Sequence, residues 1–332
     1  MLFLINPLAP KARGFYLDMD LKETIMSKHI RNRLYITMTL LVLMLLSCIP
    51  QSPPGNIVDG LGRQVTINAV PQRIVSLAPS NTEILFALGL GDKVVGVTEY
   101  CNYPEAAKTK PKVGGFSTVD IEKVVSLRPD LVLATQIHSK TIIPALDKLG
   151  LTVVALTPSS LTGVLDSVTL VGKITGQDKQ ASELVKDLST RIKAIADKTQ
   201  KLSPAQRPRV FYVTWHDPLW TAGTGTLSND VISQAGGQNI ASDISGDKTI
   251  DLETVINRDP EVIIVSVGMG TGEDLPWQYI KSESRLKNTQ ALLTDRVYKI
   301  DGDLIHRPGP RIVEALEQIA QFIHPELFGQ SK

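Results

Sequence analysis

Asp178-Lys-Gln-Ala-Ser-Glu-Leu-Val-Lys-Asp-Leu-Ser-Thr-Arg-Ile-Lys-Ala-Ile-Ala-Asp-Lys-Thr-Gln-Lys-Leu202 is the stretch around which the chain is organised. Leu184, Val185, Leu188, Ile192 and Ile195 recur at three- and four-residue steps, the spacing of one helical face, and charged residues fill the other. No Gly or Pro interrupts the run, and Pro204 and Pro208 close it. At a rise of about 1.5 Å per residue the pattern predicts a helix roughly 35 Å long.

On either side the chain reads as two copies of one plan. Asp120-Ile-Glu-Lys-Val-Val-Ser-Leu-Arg-Pro-Asp-Leu-Val-Leu-Ala-Thr135 aligns without a gap on Asp251-Leu-Glu-Thr-Val-Ile-Asn-Arg-Asp-Pro-Glu-Val-Ile-Ile-Val-Ser266. A second pairing agrees: Arg73-Ile-Val-Ser-Leu leads to Glu83 through Gly89, and Arg209-Val-Phe-Tyr-Val leads to Asp230 through Gly236. Two similar α/β lobes joined by one long helix is the economical reading, and chance likeness of two strand–helix units is the alternative. The expected fold is thus two Rossmann-like lobes with parallel sheets on a helical backbone, with a first lobe over 57–177, the linker helix over 178–202 and a second lobe over 203–328.

Lys+Arg 35 against Asp+Glu 34 leaves no basic footprint for nucleic acid. A 42% hydrophobic share fits a globular protein with one apolar segment. That segment, Leu34–Ser47, is shorter than the about 20 residues of a membrane span. With Lys28, Arg31 and Arg33 ahead of it, it matches a signal-peptide core over 1–47, in which 1–25 reads as an upstream start-site extension before Met26. Leu45-Leu-Ser-Cys48 resembles the bacterial lipoprotein box; an ordinary signal peptide with a coincidental cysteine is the alternative. With Cys48 acylated, 48–56 reads as a lipidated tether and Cys101 has no disulfide partner. Cys101 is then either a small buried hydrophobe or a thiol facing a ligand.

In order, Ile57–Asn68 predicts a hairpin around Asp59-Gly60, and Arg73–Ala78 a strand. A helix to Gly89 follows, with Ser80 or Asn81 as its cap and Glu83 in its first turn, where negative charge is favoured. Strands at 94–98, 131–134 and 152–156 alternate with helices at 119–127 and 141–149. Beyond the long helix come a strand at 210–214, a polar and aromatic loop Trp215–Trp220, a helix at 226–234, a loop at 240–249, a helix at 252–257 and a strand at 262–267. A glycine-rich loop at 268–277, a strand at 297–300 and a helix at 312–322 finish the chain.

Little in the chain suggests catalysis. Val267-Gly-Met-Gly-Thr-Gly272 only superficially matches a dinucleotide loop, since no helix follows promptly and no acidic partner is placed for a ribose. The five histidines His29, His138, His216, His306 and His324 are dispersed, unlike a metal site. A Ser–His216–Asp217 triad lacks a Gly-x-Ser-x-Gly turn. The informative residues are Tyr100, Phe116, Trp215, His216, Asp303 and Arg307, which follow predicted strands in both lobes, where open parallel sheets bind ligands. Singly, each aromatic could fill a core. As a set they favour a cleft whose aromatic faces and polar edge suit a large, flat molecule.

Arg73-Ile-Val-Ser-Leu-Ala-Pro-Ser-Asn-Thr-Glu-Ile-Leu85, Asn102-Tyr-Pro104, Lys112-Val-Gly-Gly-Phe116, Arg128-Pro-Asp-Leu-Val132 and Ala235-Gly-Gly-Gln-Asn239 together resemble the substrate-binding proteins of bacterial ABC importers for cobalamin, siderophores and haem. The resemblance runs from about Arg73 to Phe322, and the cobalamin binders look closest. It implies ligand contacts from Tyr100 and Phe116 and from Asp303 and Arg307 at the ligand's polar edge. Tryptophans of the family pattern are missing near Thr135 and Asp247, and Trp215 stands one position from a family phenylalanine. The resemblance also implies that Glu122 and Glu253 dock on the two halves of a permease, whereas first-turn helix stabilisation needs no partner.

The expected protein is therefore a monomeric, lipid-anchored binder outside the cytoplasm, without a cofactor and performing no covalent chemistry. It would capture a corrinoid and pass it to an ABC permease dimer with its ATPase subunits. A ferric-siderophore or haem binder on the same scaffold is the alternative, with Tyr100, Tyr103, Cys101 or His216 as a haem ligand. An extracytoplasmic metal-dependent reductase and a structural adhesin lack supporting features: clustered ligands for the first, a need for aromatic loops in both lobes for the second.

Overall fold

A computed structural model describes residues 55–268 and 274–329. Cys48 with its flanking segments and residues 269–273 of the 268–277 glycine run lie outside the described residues. The first elements are β1 (Gly55–Val58) and β2 (Gln64–Ile67), the predicted antiparallel hairpin. Then come β3 (Ile74–Ser76), α1 (Pro79–Ala87), β4 (Val94–Val97), α2 (Ile121–Ser126), β5 (Leu131–Ala134), α3 (Ile142–Lys148) and β6 (Val153–Ala155). Strands β4-β3-β5-β6 form one parallel sheet. Alternate residues feed opposite cores: Leu131 and Leu133 pack on one face, Val132 and Ala134 on the other. A sheet buried on both sides needs near-continuous apolar strands, which is how these segments read.

Helices α4 (Leu161–Thr175) and α5 (Asp178–Thr199) follow. The second lobe has β7 (Arg209–Val213), β8 (Trp215–His216), β9 (Leu219–Ala222), α6 (Leu227–Gln234), β10 (Gln238–Asn239), β11 (Asp247–Thr249), α7 (Leu252–Arg258) and β12 (Val262–Val267). It continues with α8 (Leu275–Ser282), β13 (Val297–Asp301), α9 (Gly302–Ile305) and α10 (Ile312–Ile323), before a last helical turn at Pro325–Phe328. Its parallel sheet runs β10-β7-β12-β13, the same order of first, second, third and fourth strand as in the first lobe.

The internal repeat holds down to single hydrogen bonds. Asp120 caps α2 by accepting from the Lys123 N–H, and Asp251 caps α7 by accepting from the Thr254 N–H. The residues before the two aligned prolines, Arg128 and Asp259, both take left-handed φ, 46° and 42°. The Arg73 guanidinium donates to the carbonyls of Leu127 and Arg128, and that of Arg209 to those of Arg258 and Asp259.

The long helix joins the two cores as expected and runs to Thr199. Four features differ from expectation, the first being a second helix beside it. α4 packs against α5, although its Leu161, Val164, Val168 and Val171 are helically spaced and were a readable signal. Leu161 and Val164 join the second lobe's core, Val168, Val171 and Ile174 the first's. α5 does the reverse along its length, with Ala181 in the first core and Leu188 and Ile195 in the second. Second, α1 is capped by extended Ala78 with Pro79 opening the helix, while Ser80 and Asn81 are buried inside it. Third, Trp215–Trp220 is a hairpin of β8 and β9 turning at Asp217-Pro218, and β11 pairs with β9 inside the expected 240–249 loop. Fourth, Leu275–Trp277 is already helical.

The helix pair approaches closely at Gly172, where an added Cβ would clash with the Ala181 Cβ. Gly172→Ala gains about 1 kcal/mol of helix propensity. Forcing two packed helices apart costs roughly 1–3 kcal/mol. Urea denaturation should therefore show a net loss of stability, and a gain would mean that the two helices separate freely.

Candidate functional site

The cavity that brings the lobes' rims together has a volume of about 370 Å³. The first lobe supplies the turns beyond the carboxyl ends of its strands: Ala78–Ser80 after β3, Tyr100 after β4, Phe116 and Ser117, and Thr135 after β5. The second supplies Gly302, Asp303 and His306–Pro308, the segment after β13. Of the six ligand residues expected from sequence, Tyr100, Phe116, Asp303 and Arg307 line this one space. Trp215 and His216 do not. They sit on the β8–β9 hairpin, where Trp215 pairs across the strands with Trp220 and His216 packs against Trp215 and Tyr279.

Phe116 is held by a glycine turn and a buried histidine. Gly114 has φ 98°, and a Cβ there would meet the Thr118 carbonyl oxygen at 2.5 Å, so the turn requires glycine. His138 Nδ1 accepts from the Thr135 N–H at 3.1 Å, which leaves Nε2–H to donate to the Phe116 carbonyl at 2.7 Å. The two rings meet edge to face, 5.6 Å apart. Burial lowers the His138 pKa, consistent with this neutral tautomer.

His306 lines the second lobe's side and was not singled out from sequence. Its Nε2 lies 3.0 Å from the Tyr212 hydroxyl and 3.1 Å from the Ser266 hydroxyl. Burial pushes its pKa down to about 4 against the opposing pull of Asp303. Burial also raises the Tyr212 pKa, keeping that hydroxyl protonated as a hydrogen-bond partner.

Glu83 is not a solvent-facing first-turn acid. Its side chain is 2% exposed and forms a fork with Arg311, Nε–Oε2 3.0 Å and Nη2–Oε1 2.6 Å. Arg307 Nη1 adds a longer contact at 3.5 Å, and Arg311 lies 4.0 Å over the Tyr103 ring. Glu83 and Tyr103 belong to the first lobe and both arginines to the second, so the fork fixes the width of the cleft. Glu83, Tyr103 and Arg311 also wall a second cavity of about 330 Å³ against α5. Cys101 is 1% exposed, with Sγ 3.2 Å from the Thr82 hydroxyl and 3.1 Å from that of Thr98, and it belongs to the core. Of the haem ligands considered from sequence, only Tyr100 lines the 370 Å³ space. Among the described residues no cluster of His, Cys, Asp and Glu could hold a metal ion, and no helix is long and apolar enough to cross a membrane.

A family model described as periplasmic binding protein matches residues 74–304, which span both parallel sheets and the first lobe's side of the cavity. The chain belongs to the periplasmic binding protein family. It is therefore a solute-binding protein of an extracytoplasmic family and not an enzyme. It is 35% identical to the ABC transporter substrate-binding lipoprotein YvrC of Bacillus subtilis over 83% of this chain and 87% of that one. It is 31% identical to the cobalamin-binding protein of Halobacterium salinarum over 80% and 73% of the two chains. Among solved structures, the vitamin B12 binding protein BtuF of Vibrio cholerae superposes with a TM-score of 0.67 at 28% identity, over 76% of this chain and 97% of that one.

His306 makes this periplasmic binding protein sensitive to acid. It stays neutral when folded, whereas the unfolded chain binds a proton near the ordinary value of 6.5. Its contribution is thus complete above about pH 6.5 and is lost as pH falls toward 4, by up to about 3 kcal/mol. Urea midpoints measured from pH 7 to 4 should fall less steeply for His306→Asn than for the parent; equal slopes would clear His306 of the effect.

Proposed function

We propose that the protein captures a corrinoid between its lobes and delivers it to an ABC importer. The observation that carries this reading is the shared cavity, with Tyr100 and Phe116 supplying aromatic rings and Asp303 and Arg307 a charged edge. An aromatic floor with a few convergent polar groups is what a wide macrocycle requires. The cobalamin-binding relative from Halobacterium and the vitamin B12 binding protein from Vibrio support a corrinoid as the cargo. Capture needs no cofactor, since the corrinoid is cargo.

Delivery would use Glu122 and Glu253. Both are exposed, at the starts of α2 and α7, and neither carboxylate has an ion-pair partner among the described residues. Because the gapless repeat places them equivalently, they suit arginines on two copies of a symmetric permease. The lipoprotein named among the relatives supports Cys48 as the acylated residue that ties the protein to the membrane.

Isothermal titration of the chain from Gln51 onward should give binding of cobalamin and cobinamide, weakened about tenfold by Tyr100→Ala through loss of one stacked ring. A Soret shift with haem, and no response to cobalamin, would reassign the cargo. In cells, Glu122→Ala with Glu253→Ala should leave cobalamin affinity intact and abolish uptake, while Cys48→Ser should shed the protein from the membrane fraction. Normal uptake by the double variant would remove the docking role, and retention of the serine variant would remove the anchor.

A further inference from the structure

The charged edge of the cavity is already filled from within. Asp303 and Arg307 stand four residues apart, joined by an Oδ1–Nη2 ion pair of 2.7 Å. Asn102, from the opposite lobe, sets its side-chain amide against both of them. Asn102 Nδ2 donates to Asp303 Oδ2 at 2.9 Å, and Asn102 Oδ1 accepts from Arg307 Nη1 at 2.6 Å. Three polar contacts thus close a ring, in which the amide N–H faces the carboxylate and the amide oxygen faces the guanidinium.

This arrangement selects a functional group. A primary carboxamide presents a donor and an acceptor side by side, and both are matched to charged partners. A carboxylate in the same place would set its second oxygen against Asp303, with Glu83 another carboxylate 3.5 Å from Arg307. A hydroxyl has a single heavy atom for the two positions. Asn102 itself is exposed, on the loop between the strand end and the Glu105–Thr109 turn, so withdrawing it unpacks no core.

We infer that Asn102 is the resident occupant of the Asp303–Arg307 edge in the free protein, standing in for a primary carboxamide, and that a carboxamide on the edge of the cargo displaces it. The last step rests on the corrinoid reading, because a corrinoid macrocycle is rimmed with primary carboxamides whereas haem is rimmed with carboxylates. Asn102 then sets affinity without contributing to it: the cargo meets a receptor that is open for only a fraction of the time.

Asn102→Ala, with Asn102→Ser as a second variant, empties the receptor. In proton–nitrogen correlation spectra of the chain from Gln51 onward, acetamide should shift the backbone amides of Gly302, Asp303 and Tyr100 saturably in the variants and not in the parent. Acetate should shift them in neither. Cobalamin should bind the variants roughly three- to tenfold more tightly, the factor by which self-occupancy dilutes the open receptor. Equal responses of parent and variants to acetamide, or a response to acetate as strong as to acetamide, would overturn the carboxamide receptor. Unchanged or weaker cobalamin binding by the variants would overturn the displacement and leave Asn102 as a bracket between the lobes. If the parent fails to bind cobalamin while acetamide still fills the variants, the corrinoid reading and the displacement fall and the receptor stands.

Discussion

One apolar stripe shared between two cores governs this molecule. Each lobe has a parallel sheet buried on both faces, and on one face of each the cover is the same pair of helices. Neither lobe can complete its interior without α4 and α5, and neither helix can leave one core without disturbing the other. The close passage at Gly172 and Ala181 makes the pair a single thick strut. At the second lobe it is tied by a fork between Arg191 and Glu317, with both contacts at 2.8 Å. Everything that the cleft does follows from the fact that its walls are mounted on that strut.

The Glu83–Arg311 fork adds a fastening at some distance from the strut. A bidentate pair at 2% and 16% side-chain exposure has exchanged water for a fixed partner, so loss of either member would strand a charge in the interior. Its value lies in geometry: it sets how far apart the two rims stand. The lobes, although alike in strand order and capping, contribute unequally to the cavity. The first lobe offers turns from several strands and the second a single segment after β13. Duplication therefore built the frame, and divergence of loops built the receptor.

What could be read from sequence was whatever is local or periodic. The gapless repeat survived intact because caps, left-handed residues and strand patterns are written within a dozen residues. Tyr100, Phe116, Asp303 and Arg307 were legible through their positions after strands. α4 carried a helical period, yet the polar Ser160-Leu-Thr-Gly163 start and the weight given to its longer neighbour hid it. Glu83 was misread for a deeper reason. A carboxylate near a helix start has an adequate local explanation, and its true partner lies 228 residues further along the chain. Trp215 and His216 mark the limit of that signal: following a strand places a residue at an edge of the sheet, but on the short hairpin His216 packs against Trp215 and Tyr279 and neither lines the cavity. His306 gave no local signal at all, because its character comes from Tyr212 and Ser266 on other strands.

The buried fork has one further consequence for a protein that works outside the cytoplasm. Dissolved ions weaken attraction between surface charges over a Debye length of about 8–10 Å at ordinary ionic strength, but they reach a desolvated pair far less. Ambient salinity, which no cell controls beyond its envelope, can thus loosen the many exposed pairs on this surface while the aperture held by Glu83 and Arg311 keeps its gauge.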